Sequence, residues 1–117
     1  MHAEPERFAT PVRHALEDSE NELLLSAASA WEISIKYSLG KLRLPTPPAD
    51  YLPSRMQLAD TLSLPVTQDH AVRVGALPPH HRDPFDRMLI AQAQIEGLPI
   101  LTADQQFRLY NVEILEP

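Results

Sequence analysis

The sequence predicts an α/β domain with a short parallel sheet flanked by helices, and three observations carry that expectation. The first is His80 to Asp104, HHRDPFDRMLIAQAQIEGLPILTAD, where a helix start, a helix stop, a strand and a trailing acid follow one another without slack. The second is that apolar runs too short for helices, such as NELLLS, alternate with segments that open on capping residues. The third is that these runs are apolar on both faces, as strands covered by helices on each side must be.

Taken in order, Thr10-Pro11 is a cap-and-start signal, and Val12, Ala15 and Leu16 make a stripe that predicts a short helix before Glu17-Asp18. Asn21 to Ser26 reads as a buried strand. Ser29-Ala30-Trp31-Glu32 repeats a capping-box pattern, which places Glu32 in the first turn of a helix, with Trp31, Ile35 and Leu39 on one face and Gly40 as the stop. Lys41 to Pro45 leaves as an extended loop. Ala49 to Leu58 has the composition of a short surface helix, Leu62 to Val66 of a strand, and Thr67 caps a helix that runs to Gly75.

In the stretch that follows, Asp83 can accept from free helix N–H groups, Pro84 fits the first helical position, and Asp86 falls at the third. Helical spacing continues to Glu96, and Gly97 takes the left-handed stop. Leu98 to Thr102 is a buried strand with Asp104 just beyond it, and Val112 to Leu115 is a last strand. In parallel sheets the strand C-termini and helix N-termini share an edge, so Asp86 and Asp104 are expected in one crevice.

At 117 residues the chain is expected to be one domain, residues 1–117. The absence of cysteine excludes a disulfide frame, a zinc–thiolate site and a thiol nucleophile. No apolar run is long enough to span a membrane and the N-terminus has no signal-peptide pattern, so the expectation is a cytoplasmic protein with no membrane partner. A net charge of −6 removes any general attraction to phosphate, so nucleic acid would have to be held locally. With three glycines no phosphate-cradling loop can be built, and no serine-nucleophile elbow is present.

Glu32, Asp86 and Asp104 are the constellation of interest, since all three are expected at one edge of the sheet. Gathered carboxylates repel, and Mg²⁺ or Mn²⁺, with oxygen ligands at roughly 2.0–2.2 Å, is the usual relief. Capping boxes explain Glu32 and Asp86 without a metal, and Glu32 has Lys36 four residues on as an ordinary helix ion pair. His80-His81 beside Asp83 reads as a polar loop, in the absence of any standard ligand spacing. Lys36, Lys41, Arg43, Arg82 and Arg87 are the candidates for a phosphate-contacting rim, and scattered solvated charge explains them equally well.

SAASAWEISIKYSLGKLRLP and, about forty residues later, LPPHHRDPFDRMLIAQAQIEGLPILTAD resemble the PIN-domain family, specifically its VapC-type toxins from prokaryotic toxin–antitoxin pairs. The resemblance implies a three-layer PIN-like fold and a Mg²⁺- or Mn²⁺-dependent endoribonuclease that leaves a 5′-phosphate. It also implies a homodimer held in check by a cognate antitoxin. By motif, Glu32 in AWEISIK, Asp86 in DPFDRMLIAQA and Asp104 in LTAD match the family's acids, and Thr102 matches a small hydroxyl residue beside the last acid.

One element of the family pattern is missing: a first apolar strand that ends in an aspartate. The chain is therefore expected to be N-terminally truncated relative to the family, and its sheet to hold a vacant central position between Glu22–Ser26 and Leu98–Thr102. Two unpaired apolar edges would then invite pairing with another chain. A site that has lost one of four acids is expected to bind Mn²⁺ weakly at best. The alternative function is a catalytically inactive PIN remnant that serves as an antitoxin-binding or self-association module.

Overall fold

A computed structural model describes residues 12–116. Its strands β1 (Ala15–Glu17), β2 (Leu23–Ser26), β3 (Thr61–Leu64), β4 (Ile100–Leu101) and β5 (Ile114–Leu115) form one five-stranded sheet in the order β3-β2-β1-β4-β5. Helices α1 (Ala27–Ser38), α2 (Pro48–Leu58), α3 (Gln68–Gly75) and α4 (Pro84–Glu96) flank it, and a 3-10 helix, Gln105–Leu109, joins β4 to β5. The α/β expectation holds, with a mixed sheet instead of a parallel one.

The difference lies at the centre. The stripe expected as a short helix is extended: β1 pairs antiparallel with β2, Leu16 opposite Leu24, and antiparallel with β4, Leu16 opposite Ile100. The proposed start of that helix, Thr10-Pro11, lies outside the described residues. β2–β3 and β4–β5 pair parallel, as expected. The position foreseen as vacant is thus filled, and β2 and β4 have no unpaired edges facing a gap.

Energetics favour this outcome. Each buried backbone group left unpaired along β2 and β4 would cost about 1–3 kcal/mol, whereas helix propensities of ordinary residues differ by about 0.7 kcal/mol at most. Ala15 and Leu16, 1% and 0% exposed, are small and apolar enough to sit between helices on both faces. A tight reversal delivers β1 to β2: Asp18 Oδ1 accepts from the N–H groups of Glu20 and Glu22, each at 2.9 Å, and Asn21 takes φ 65°.

The sheet separates two cores. Leu16, Leu89, Ile90, Ile100 and Phe107 pack in one, with Leu24 against it; Leu25, Ile33, Tyr51 and Leu52 form the other. Consecutive strand residues face opposite sides, so Leu24 and Leu25 mark the two faces. The expected surface helix, α2, buries Tyr51 and Leu52 in the second core. Conversely, the Trp31–Ile35–Leu39 face of α1 looks outward: Trp31 is 64% and Leu39 61% exposed. Helix α1 buries Ala28 and Ile33 instead.

Most boundaries are where local signals put them. Thr67 caps α3 in a capping box closed by His70. Asp83 Oδ1 accepts from Phe85 N and Asp86 N to start α4, and Gly97, at φ 68°, ends it. The start of α1 differs: Ser26, not Ser29, is its N-cap, accepting from Ala28 N at 3.0 Å. Glu32 is therefore in the second turn, beyond the reach of a cap. Arg87 is no rim residue either, because its guanidinium donates to the carbonyls of Val74, Leu77, Pro78 and His81 and ties the α3–α4 loop to α4.

Candidate metal centre

The reversed direction of β1 determines what stands at the carboxyl edge of the sheet. A parallel strand brings the residue after its last pair to that edge; an antiparallel one brings the residue before its first. Here that residue is His14. It meets Asp104, which follows β4, and Asp86, in the first turn of α4. One ligand atom from each of His14, Asp86 and Asp104 can be chosen so that all lie within 4.8 Å of one another.

Each side chain is held from outside this triangle. His14 Nδ1 is 2.7 Å from Thr102 Oγ1, and its ring stands edge-on to Phe107 with centroids 4.8 Å apart. Thr102, fully buried, also accepts from Asp104 N at 3.0 Å, so a single hydroxyl fixes the imidazole and the turn that carries Asp104. Asp104 Oδ1 accepts from Gln106 N at 2.9 Å and caps the 3-10 helix, which leaves its other oxygen for the crevice. Asp86 is placed by the Asp83 cap of its own helix.

His14 Nε2 is buried and has no hydrogen-bond partner among the described residues; its nearest acid, Asp86 Oδ1, is 3.6 Å away. Buried polar atoms are normally satisfied, so a nitrogen unpartnered among the described residues, 3.6 Å from one carboxylate and grouped with a second, fits a cation between them. The donor set, one imidazole and two carboxylates, also suits a divalent ion.

Burial, and then the neighbouring charge of Asp83, push the Asp86 carboxyl up to about 6. Burial, followed by the Arg13 guanidinium, moves His14 below its ordinary value of 6.5 while Asp104 and Glu32 pull the other way. Near neutral pH the imidazole is therefore free to offer a lone pair.

Among the residues the sequence singles out, Asp86, Asp104 and Thr102 come together. Glu32 stands beside them: its charge reaches both His14 and Asp86, but its Oε2 is engaged by Lys36 Nζ at 2.8 Å and approached by Arg13 at 3.7 Å. His81, expected in a polar loop, is buried, stacked against Tyr110 and edge-on to Phe107; its backbone N–H donates to the Tyr110 hydroxyl, and its ring Nε2 has no partner among the described residues. Sequence reasoning missed His14. The signal was present as a histidine directly before Ala15-Leu16, but it carries meaning only once that pair is a strand and its direction is known.

No helix among the described residues is long and apolar enough to cross a membrane. Comparison with known proteins adds the lineage. The chain is 52% identical over 59 residues to ribonuclease VapC16 of Mycobacterium tuberculosis, a match that covers 50% of this chain and 40% of that protein. The family model for the PIN domain matches residues 1–113. With Asp86 and Asp104 of that resemblance gathered at one sheet edge, and the family model spanning nearly the full sequence, the chain belongs to the PIN-domain family.

Proposed function

We propose that the chain is a divalent-metal-dependent endoribonuclease, the toxin of a toxin–antitoxin pair, acting in the cytoplasm as one domain over residues 1–117. The observation that supports this best is the convergence of Asp86 and Asp104, from a helix start and a strand end, on a crevice that also holds an orphaned buried nitrogen. The named relative is a ribonuclease, and RNA is the substrate we assign. Mg²⁺ or Mn²⁺ is the expected ion, and a cognate antitoxin and a second copy of the chain are the expected partners.

In this reading Asp86 and Asp104 hold the ion, and Glu32 adds negative charge from α1. A bound divalent ion would lower the pKa of a coordinated water and neutralise charge gathering at phosphorus. Thr102 is a positioning residue, since it keeps Asp104 in place through its N–H. Arg13 and Lys36, paired with Glu32 beside the crevice, are the cations we assign to a phosphate. This local placement is what an acidic chain needs in order to hold RNA.

The test is cleavage of a mixed RNA substrate with and without added divalent ion. Metal-dependent cleavage that is lost in Asp86→Asn and Asp104→Asn supports the reading. Cleavage that survives both substitutions, or persists in chelator, would sink it. An absence of cleavage by a chain that still binds an antitoxin would favour the inactive binding module.

A further inference from the structure

We propose that His14 is itself a metal ligand, and that the resulting site of one imidazole and two carboxylates selects a transition-row divalent ion such as Mn²⁺, Co²⁺ or Zn²⁺ over Mg²⁺. The inference rests on the metal reading above and concerns which ion that site takes.

Three features of the structure carry it. The imidazole is 9% exposed, and its Nε2, unpartnered among the described residues, lies 3.6 Å from Asp86 Oδ1, in a group with Asp104 whose ligand atoms fall within 4.8 Å of one another. Its other nitrogen rests on Thr102 Oγ1 at 2.7 Å, the arrangement in which metal-bound imidazoles are oriented by an oxygen partner. The tautomer that donates Nδ1–H to Thr102 leaves the Nε2 lone pair facing the two acids. Finally, Thr102 Oγ1 also accepts from Asp104 N, so imidazole and carboxylate are set relative to each other by one buried hydroxyl. His70 has both nitrogens partnered, by Thr67 N and Glu96 Oε2. Among the described residues His14 and His81 each leave Nε2 without a partner, but His81 is held against the Phe107 and Tyr110 rings, whereas His14 Nε2 lies 3.6 Å from Asp86 Oδ1.

The consequence for the ion follows from ligand chemistry. Mg²⁺ prefers oxygen ligands, keeps much of its water and gains little from imidazole; first-row transition ions bind nitrogen far better. Where His14 stands at the centre of the sheet edge, nitrogen replaces one oxygen donor, so affinity for Mg²⁺ falls while affinity for the transition ions is kept. The expectation of weak Mn²⁺ binding from a lost acid is thereby replaced: the imidazole makes up the missing donor for Mn²⁺, Co²⁺ and Zn²⁺, and the weak binding falls on Mg²⁺.

The whole 117-residue chain, titrated with Co²⁺, is expected to show visible ligand-field absorption that saturates at one ion per chain. A roughly hundredfold excess of Mg²⁺ should leave that absorption in place. In His14→Asp, Mg²⁺ is expected to displace Co²⁺ readily, and Co²⁺ affinity to fall by at least about tenfold. In the unmutated chain, Zn²⁺ should shift the imidazole ¹⁵N resonance of His14, a readout that needs no variant to fold. An unmoved His14 resonance overturns the proposal, as does Co²⁺ binding unchanged in a folded His14→Asp chain or displaced by Mg²⁺ in the parent. Failure of RNA cleavage by a chain that binds Co²⁺ through His14 would count against the nuclease reading alone.

Discussion

Two buried histidines of this chain, His14 and His70, make different use of the same side chain. His70 is fully buried between α3 and α4, where its Nδ1 accepts from Thr67 N at 3.0 Å and its Nε2 meets Glu96 at 2.7 Å. His14 is buried at the sheet edge with one nitrogen on Thr102 and the other without a partner among the described residues. A fully partnered imidazole is a bolt between elements. A half-partnered one beside two acids is a site that costs stability until something fills it. Burial alone does not mark a site, nor does an unpartnered nitrogen, which buried His81 also has among the described residues; the two acids beside His14 do.

The largest expected effect tests that contrast through function. Asp86→Asn should lower metal-dependent RNA cleavage by about a hundredfold or more, whereas His70→Gln, assayed well below its melting temperature, should stay within roughly threefold of the parent. Comparable losses in both variants would erase the distinction. Next comes stability without added ion. His70→Ala removes a buried ring, a cap contact and the Glu96 pair, and should cost about 2–4 kcal/mol, on the order of 10 °C in Tm, clearly more than His14→Ala. Thermal melts in chelator decide, and an equal or greater loss for His14→Ala would show that it too is a bolt.

A smaller effect depends on pH, and its sign follows from the direction of each shift. Asp86, raised from 3.8 to about 6 in the folded chain, keeps a proton there that the unfolded chain gives up, so its ionisation weakens the fold as pH rises through that window. His14, lowered from 6.5, acts in the opposite sense: its contribution is present above that value and is lost as pH falls. Asp86→Asn is therefore expected to raise the ion-free Tm by a few degrees near about pH 7.5, and the gain should shrink towards zero near about pH 4.5. A gain that grew on acidification would mean that Asp86 is stabilised as the anion. The smallest change is Glu32→Gln. Its partners Lys36 and Arg13 are 45% and 53% exposed, so the variant should lose about 0.3–0.5 kcal/mol and under roughly 2 °C in chelator. A loss comparable to that of His70→Ala would place Glu32 inside the core of the site.

Local chemistry was legible wherever a short stretch of sequence contains the whole cause. Asp83-Pro84 starts α4 and Gly97 stops it, Thr67 caps α3, and the run before Thr102 becomes a strand, because each outcome is decided within one turn of helix or one strand. The start of α1 was misread because Ser26 and Ser29 are both competent caps, and the strand that ends at Ser26 chooses between them. Arg87 and His81 were misread as surface groups because their partners, four loop carbonyls in one case and Phe107 with Tyr110 in the other, come from segments that no local window contains.

By itself the sequence determined the α/β class, the order of most elements, and the arrival of Asp86 and Asp104 at a shared edge, since a helix N-terminus and a strand C-terminus meet there in any sheet of this kind. Only the tertiary structure decided what fills the centre. Val12 to Leu16 has a stripe compatible with a helix, but the edges of β2 and β4 leave a strand-wide place between them, and pairing their backbone groups outweighs a local preference of a few tenths of a kcal/mol per residue. The chain leaves that place through the hairpin at Asp18–Asn21 into β2, so the strand must run antiparallel, and that reversal carries His14 to the acids. Strand direction is a property of the connection and the vacancy together, and no residue of the strand encodes it.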